Sequence, residues 1–192
     1  MIAQLGTSFR MTVVTVVLLG LLYPLAMTGF ARVAFPWQAA GSLVKVDGRV
    51  VGSTLVGQLW TQPQYFQGRP SAAGKGYDPT STGGTNLGPT SAKLMTATQK
   101  RIAQLKHDNP DALGAPPIDL VTSSASGIDP DISPEAAYWQ VPRIAAARHV
   151  SVDSVRALVA THIAGRQLGF LGEPHVNVLA LNLDLQEDSM AR

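Results

Sequence analysis

The 21 residues from Met11 to Ala31, MTVVTVVLLGLLYPLAMTGFA, carry no charged side chain. A helix of that length rises ~31 Å, which matches a hydrocarbon core of ~30 Å. No polar face interrupts the run, so a buried helix of a soluble core does not account for it. A secretory signal fits less well than a retained helix. Only Arg10 charges the region before the run, and no A-x-A cleavage site follows it. The sequence therefore predicts a single transmembrane helix over residues 11–35, after a short tail, residues 1–10. Pro24 costs ~3 kcal/mol inside a helix in water. In a membrane, neighbouring helices can re-satisfy the freed carbonyl. Gly20, Thr28 and Gly29 permit close helix approach. Together these residues point to packing against a partner helix, with Phe35, Pro36 and Trp37 marking the interfacial exit.

Charge and composition narrow the function. The formal charge is +2, from 15 Lys+Arg against 13 Asp+Glu. Arg10 and Arg32 supply the excess, and no acid precedes residue 36. The remainder is balanced and lacks a basic cluster, so nucleic acid is not an expected partner. The slight bias puts the N-terminus inside and the following domain outside. There is no cysteine, which excludes disulfides and thiolate metal sites.

The rest reads as a mixed α/β (α+β) extracytoplasmic domain. SLVKVDGRVVGSTLVGQ is a β-hairpin around Asp47-Gly48. A long Gly/Pro/Ser/Thr-rich loop follows, roughly Leu59 to Pro89. Tyr65, Phe66 and Tyr77 argue that it is ordered, because aromatics are sparse in disordered segments. A helix capped by Thr90 or Ser91 comes next, with Leu94, Thr98, Ile102 and Leu105 along one face. A short strand is expected at Ile118–Thr122. Ser133-Pro134-Glu135 starts a helix that Pro142 should break into two. Ser151 caps another, with Val152, Val155, Leu158 and Val159 inward. HVNVLALNLDLQ alternates as a strand, placing Leu179, Leu181, Leu183 and Leu185 on one face and Asn182 and Asp184 on the other.

Three motifs invite chemistry. GRPSAAGKG (residues 68–76) approaches a phosphate-binding P-loop. Five residues rather than four separate Gly68 from Gly74, glycine stands where the hydroxyl should follow the lysine, and no strand-to-helix context frames it. TSSASG offers Ser124 and Ser126 as nucleophiles. The pattern is not G-x-S-x-G, and no histidine is tied to it. Asp129 and Asp131 lack calcium-loop spacing and a terminal glutamate ligand. No catalytic residue and no metal ligand is therefore assigned. A membrane-anchored serine hydrolase and an extracytoplasmic ion-sensing domain stand as the alternatives to an interaction subunit.

The blocks LLYPLAMTG, FPWQAAGSLV, GSTLVGQLWTQPQYFQGRPSA, STGGTNLGPTS, IDLVTSSASGIDPDISPEAAYWQVPRIAAARHVS and VNVLALNLDL resemble the KdpC family, the C subunits of bacterial Kdp potassium-transporting P-type ATPases. They run in the family's order along nearly the whole chain. The resemblance implies an accessory subunit, neither pore nor ATP-hydrolysing. Its partners would be a channel-like potassium-binding subunit, a P-type ATPase subunit and a small single-helix subunit. It implies an inner-membrane, single-pass protein with residues 1–10 cytoplasmic and residues 36–192 periplasmic. No cofactor would be intrinsic, since the complex handles ATP and potassium. The resemblance also implies a catalytic chaperone that raises ATP affinity, with Gln140 matching a proposed nucleotide contact. Under this reading Pro24, Tyr65, Phe66, Arg69, Asn86, Ser124, Ser126 and Asp129 are expected to form or brace the partner interface.

Overall fold

A computed structural model describes residues 2–190, and the side chains of residues 4–187. The chain divides between Leu43 and Val44 into two units.

The first unit is helical. Helix α1 (Ile2–Thr15) passes into a π-helical stretch (Val16–Leu22) and then into α2 (Tyr23–Ala34). Gln4–Ala34 is the one helix among the described residues that is long and apolar enough to cross a bilayer, and no residue of its apolar window is buried. The helix begins before the uncharged run, so the expected tail is helical from Ile2. The π stretch has a local cause. Pro24 lacks an N–H, and its ring collides with the carbonyl one turn back in a regular α-helix. A widened register ahead of it relieves that collision, and Tyr23 N–H bonds Leu18 O, five residues back. The Thr28 hydroxyl donates to Pro24 O at 2.7 Å, which gives that carbonyl a partner within the helix. After Phe35 a single turn, α3 (Pro36–Ala39), completes the unit.

Strands β1 (Leu43–Val46) and β2 (Arg49–Ser53) form the expected hairpin. Asp47 and Gly48 both hold positive φ, at 50° and 77°, as a type I′ turn requires. No helix or strand then occurs before α4 (Ala92–Asp108). Ser91 Oγ caps α4 by accepting from Leu94 N–H. Leu105 is its buried anchor, with Ile102 packed beside it.

The expected strand at Ile118–Thr122 is instead one helical turn, α5 (Ile118–Val121). Adjacent Leu120 and Val121 are both buried, which a strand with opposite-facing neighbours achieves only between two layers. Thr122 closes the turn, with its N–H and its hydroxyl both donating to Ile118 O. Strand β3 (Asp131–Ile132) leads to α6 (Pro134–Arg148), capped by Ser133. Pro142 does not break α6. Trp139, Gln140, Val141, Arg143, Ile144 and Ala145 are all buried around it. Burial on that scale outweighs the ~3 kcal/mol cost of an interior proline.

Helix α7 (Val152–Thr161) buries Val155 and Val159, whereas Val152 stays exposed, contrary to expectation. Strand β4 (Ile163–Ala164) and strand β5 (His175–Asn177) follow, and the sheet order is β3-β5-β4, antiparallel throughout. Val176 faces Ile132 on one side and Ile163 on the other. The expected late strand stops at Asn177, where α8 (Val178–Met190) begins. Val178, Leu181, Asn182 and Leu185 are buried, which is the i, i+3, i+4, i+7 pattern of a helix. Asn182 therefore points inward, not outward.

Because α6 runs straight through Pro142, Pro142→Ala should leave its helicity intact. It should be neutral or stabilise the domain by up to ~3 kcal/mol, read from urea unfolding. A loss of stability would show that the proline is needed where it stands.

Candidate functional site

The long loop is held by side chains rather than by a sheet. In an extended segment, successive backbone groups point to opposite sides. Phe66 and Gln67 are such a pair. Asn182 on α8 accepts from Phe66 N–H through Oδ1 (2.8 Å) and donates through Nδ2 to Phe66 O (3.0 Å). Gln140 on α6 does the same for Gln67, with Oε1 accepting from its N–H (2.8 Å) and Nε2 donating to its O (3.1 Å). Each amide thus mimics one neighbouring strand.

Two arginines lock the segment before this pair. Arg143 is 8% exposed, and burial pulls its guanidinium down to about 10, still charged at neutral pH. It donates to Pro63 O, Tyr65 O, Asn109 Oδ1 and Gln140 Oε1. Arg148 donates to Gln64 O and Leu185 O and lies over the Tyr65 ring, 5.2 Å from its centroid. Tyr65 also packs on Trp60, and its hydroxyl bonds Gln186.

The loop then interlocks with the Ser124–Asp129 turn. Arg69 pairs with Asp129 at 3.0 Å. Ser71 is the hub of the near-P-loop. Its hydroxyl donates to Gly127 O (2.5 Å) and accepts from Ala73 N–H and Tyr77 N–H. Those are amides of the kind a phosphate would need, and they are spent internally. Gly83 N–H bonds Ser126 O, and Gly57 N–H bonds Ile128 O. Gly127, at φ 71°, has no room for a Cβ: one would lie 2.6 Å from Gly83 O and 2.7 Å from Ala73 Cβ. Ser124 Oγ accepts from Gly127 N–H.

An open cleft of about 300 Å³ lies along this loop. Trp60, Arg69, Tyr77, Arg101 and Asp108 are among its walls. Trp60 Nε1 and Arg69 Nε are buried without a hydrogen-bond partner among the described residues. Burial, and then Asp129, pushes the Tyr77 phenol up to about 12, and its hydroxyl donates to Arg69 O.

The expected interface residues are not all surface residues. Phe66 is fully buried and Ser124 is 7% exposed, so neither presents its side chain at the surface. Tyr65, Arg69 and Asp129 are half-buried, while Ser126 and Asn86 are exposed, Asn86 with φ 52°. Pro24 lies in the other unit. Gln140 is 1% exposed. Its oxygen accepts two hydrogen bonds and its nitrogen donates two, the second to Ala136 O, so the amide is saturated. The reading from sequence missed Asn182, Arg143, Arg148 and Ser71. A polar residue within an apolar periodicity is the signal Asn182 carried, and a helical reading of its segment exposes it.

Removing either amide strands two backbone groups, buried at Phe66 and partly buried at Gln67. Gln140→Ala and Asn182→Ala should each cost about 2–4 kcal/mol, measured by urea unfolding. Tyr77 gives a pH signature. Its folded pKa is raised, so its contribution is full below pH 10 and is lost as pH rises toward 12. The melting temperature should fall across that window more steeply in the natural protein than in Tyr77→Phe.

Comparison with known proteins assigns the chain. It matches the family described as "KdpC: K+-transporting ATPase, c chain" over residues 5–187. A Koribacter versatilis (strain Ellin345) protein, named as a potassium-transporting ATPase KdpC subunit, is 52% identical over 183 residues, covering 95% of this chain and 93% of the relative. A Myxococcus xanthus protein of the same name is 54% identical over 180 residues, covering 93% and 85%. One from Bradyrhizobium diazoefficiens is 49% identical over 197 residues, covering 96% and 97%. With the match running through both the apolar helix and the clamped loop, the chain belongs to the KdpC family, the c chains of potassium-transporting ATPases.

Proposed function

We propose that this chain is a non-catalytic accessory subunit of an ATP-driven potassium import complex. It assembles with a channel-like potassium-binding subunit, a P-type ATPase subunit and a small single-helix subunit. The family match carries this reading. The loop–turn face supports it, since its hydroxyls and amides are committed to holding a shape. In this reading the helix Gln4–Ala34 anchors the protein in the inner membrane, with the domain on the periplasmic side. Tyr65, Arg69, Asn86, Ser126 and Asp129 present or brace the docking face, and Pro24 with its π turn shapes the helix for a partner.

The hydrolase alternative is disfavoured by the bonding of its serines. Ser124 and Ser126 bond each other and the backbone of their own turn, with no histidine among their hydrogen-bond partners. A serine without a positioned base is a weak nucleophile.

The chaperone role acts in this proposal without direct nucleotide contact. ATP binds the ATPase subunit on the other side of the membrane, so the effect must come from unequal binding to two states of the pump. Gln140 contributes as a positioning residue for the loop. Substituting it should weaken any effect on ATP affinity in step with domain stability. An effect on ATP affinity at unchanged stability would instead indicate direct contact.

Deleting the chain should abolish assembly or high-affinity potassium uptake, and normal uptake without it would refute the role. Placement is testable with one probe. Leu113 is 93% exposed and the chain has no cysteine. Leu113→Cys should react with a membrane-impermeant maleimide in intact cells. Reaction only after lysis would put the domain in the cytoplasm.

A further inference from the structure

Between β4 and β5 the chain makes a small closed loop. Gln167 and Leu171 exchange two backbone hydrogen bonds, each 2.9 Å. Leu168 and Gly169 turn the chain at positive φ, 52° and 83°. Arg166 fastens the base, donating to Gly172 O at 2.6 Å and to Glu173 Oε2 at 2.5 Å. The result is a stiff tip without charge from Gln167 to Gly172. Its apolar side chains face water: Leu168 is 84% exposed, Phe170 69% and Leu171 47%.

We propose that this loop is a second membrane contact, a wedge that inserts Leu168, Phe170 and Leu171 into the bilayer interface. The inference rests on the reading that Gln4–Ala34 spans a membrane. Two observations favour lipid over a protein groove. Three side chains bury a few hundred Å² at most, well short of the ~1,200–2,000 Å² of a specific protein interface. A lipid contact needs no such area when the chain is already tethered. The segment between Ala34 and Val44 reaches at most ~35 Å even if fully extended. Tethering on that scale supplies an effective concentration near the millimolar range. The second observation is chemical. The base charges neutralise each other and the only polar side chain of the tip is the uncharged Gln167 at its base, whereas a bilayer interface accepts Leu and Phe without register.

The absence of cysteine makes the test direct. The full chain carrying Phe170→Cys is labelled with an environment-sensitive fluorophore and reconstituted into phosphatidylcholine vesicles. Leu168→Cys repeats the measurement should Phe170→Cys fold poorly. Leu113→Cys serves as the aqueous reference and Leu19→Cys as the lipid reference. The expected result is a blue shift at the loop, quenching by nitroxide-bearing lipid and protection from iodide, all unchanged in high salt because no charge pairing is involved. Iodide quenching as free as at Leu113, with Leu19 in lipid, overturns the wedge alone. Protection that appears only after the other pump subunits are added also overturns it, in favour of a protein contact. A Leu19 label outside lipid refutes the membrane anchor, and the wedge with it.

Discussion

Two side-chain amides, Asn182 and Gln140, grip the backbones of two consecutive residues, and the shape of the domain follows from that grip. A loop running from the hairpin to α4 has no ladder of its own. Its backbone groups still need partners wherever they are buried. Phe66 and Gln67 are reached from opposite sides by α8 and α6. Once these residues are fixed, Phe66 fills the core, and Arg143 and Arg148 can satisfy the carbonyls just before them. Arg143 is notable because its bonds go to neutral oxygens rather than to a carboxylate. A buried cation held this way loses its compensation if the loop departs. The loop and the two helices therefore stand or fall together.

Local chemistry was legible in the sequence, and long-range choice was not. The I′ turn and the caps at Ser91, Ser133 and Ser151 each depend on a few neighbouring residues, and each is present. The failures share one origin. Val178 to Leu185 carries both a period of two and a period of 3.6, and Asn182 is the polar residue whose placement differs between them. On a strand it faces solvent, whereas on a helix it enters the core, where Phe66 awaits it. Nothing local announces Phe66 as its partner, 116 residues away. Pro142 fails the same way, since propensity sees the ring and not the burial on either side of it. The candidate face was visible as an aromatic, Gly-rich loop and a serine-rich turn. That Ser71 and Gly127 lock the two together depends on approaches below 3 Å, which spacing cannot reveal.

The near-P-loop shows how a motif can share amides with a nucleotide site and serve another end. Phosphate cradles leave backbone N–H groups pointing into open space. Here Ser71 Oγ takes the Ala73 and Tyr77 amides, and Tyr77 turns its hydroxyl onto Arg69 O. Gln140 is equally committed. Residues that suggest nucleotide chemistry are used to stiffen a surface.

In the proposed role, stiffness is what the chain needs to act on a reaction it does not touch. A subunit shifts a pump's equilibrium only by binding one state better than another. A floppy loop adapts to both states and discriminates poorly, while a face fixed by saturated amides and an interlocked turn does not adapt. The same logic extends to the apolar helix Gln4–Ala34. A π turn ahead of Pro24 gives it a fixed irregular shape that a regular apolar helix lacks. An irregular helix can prefer one arrangement of its neighbours, and in the proposed role such a preference is the kind of differential contact through which the chain would influence ATP affinity.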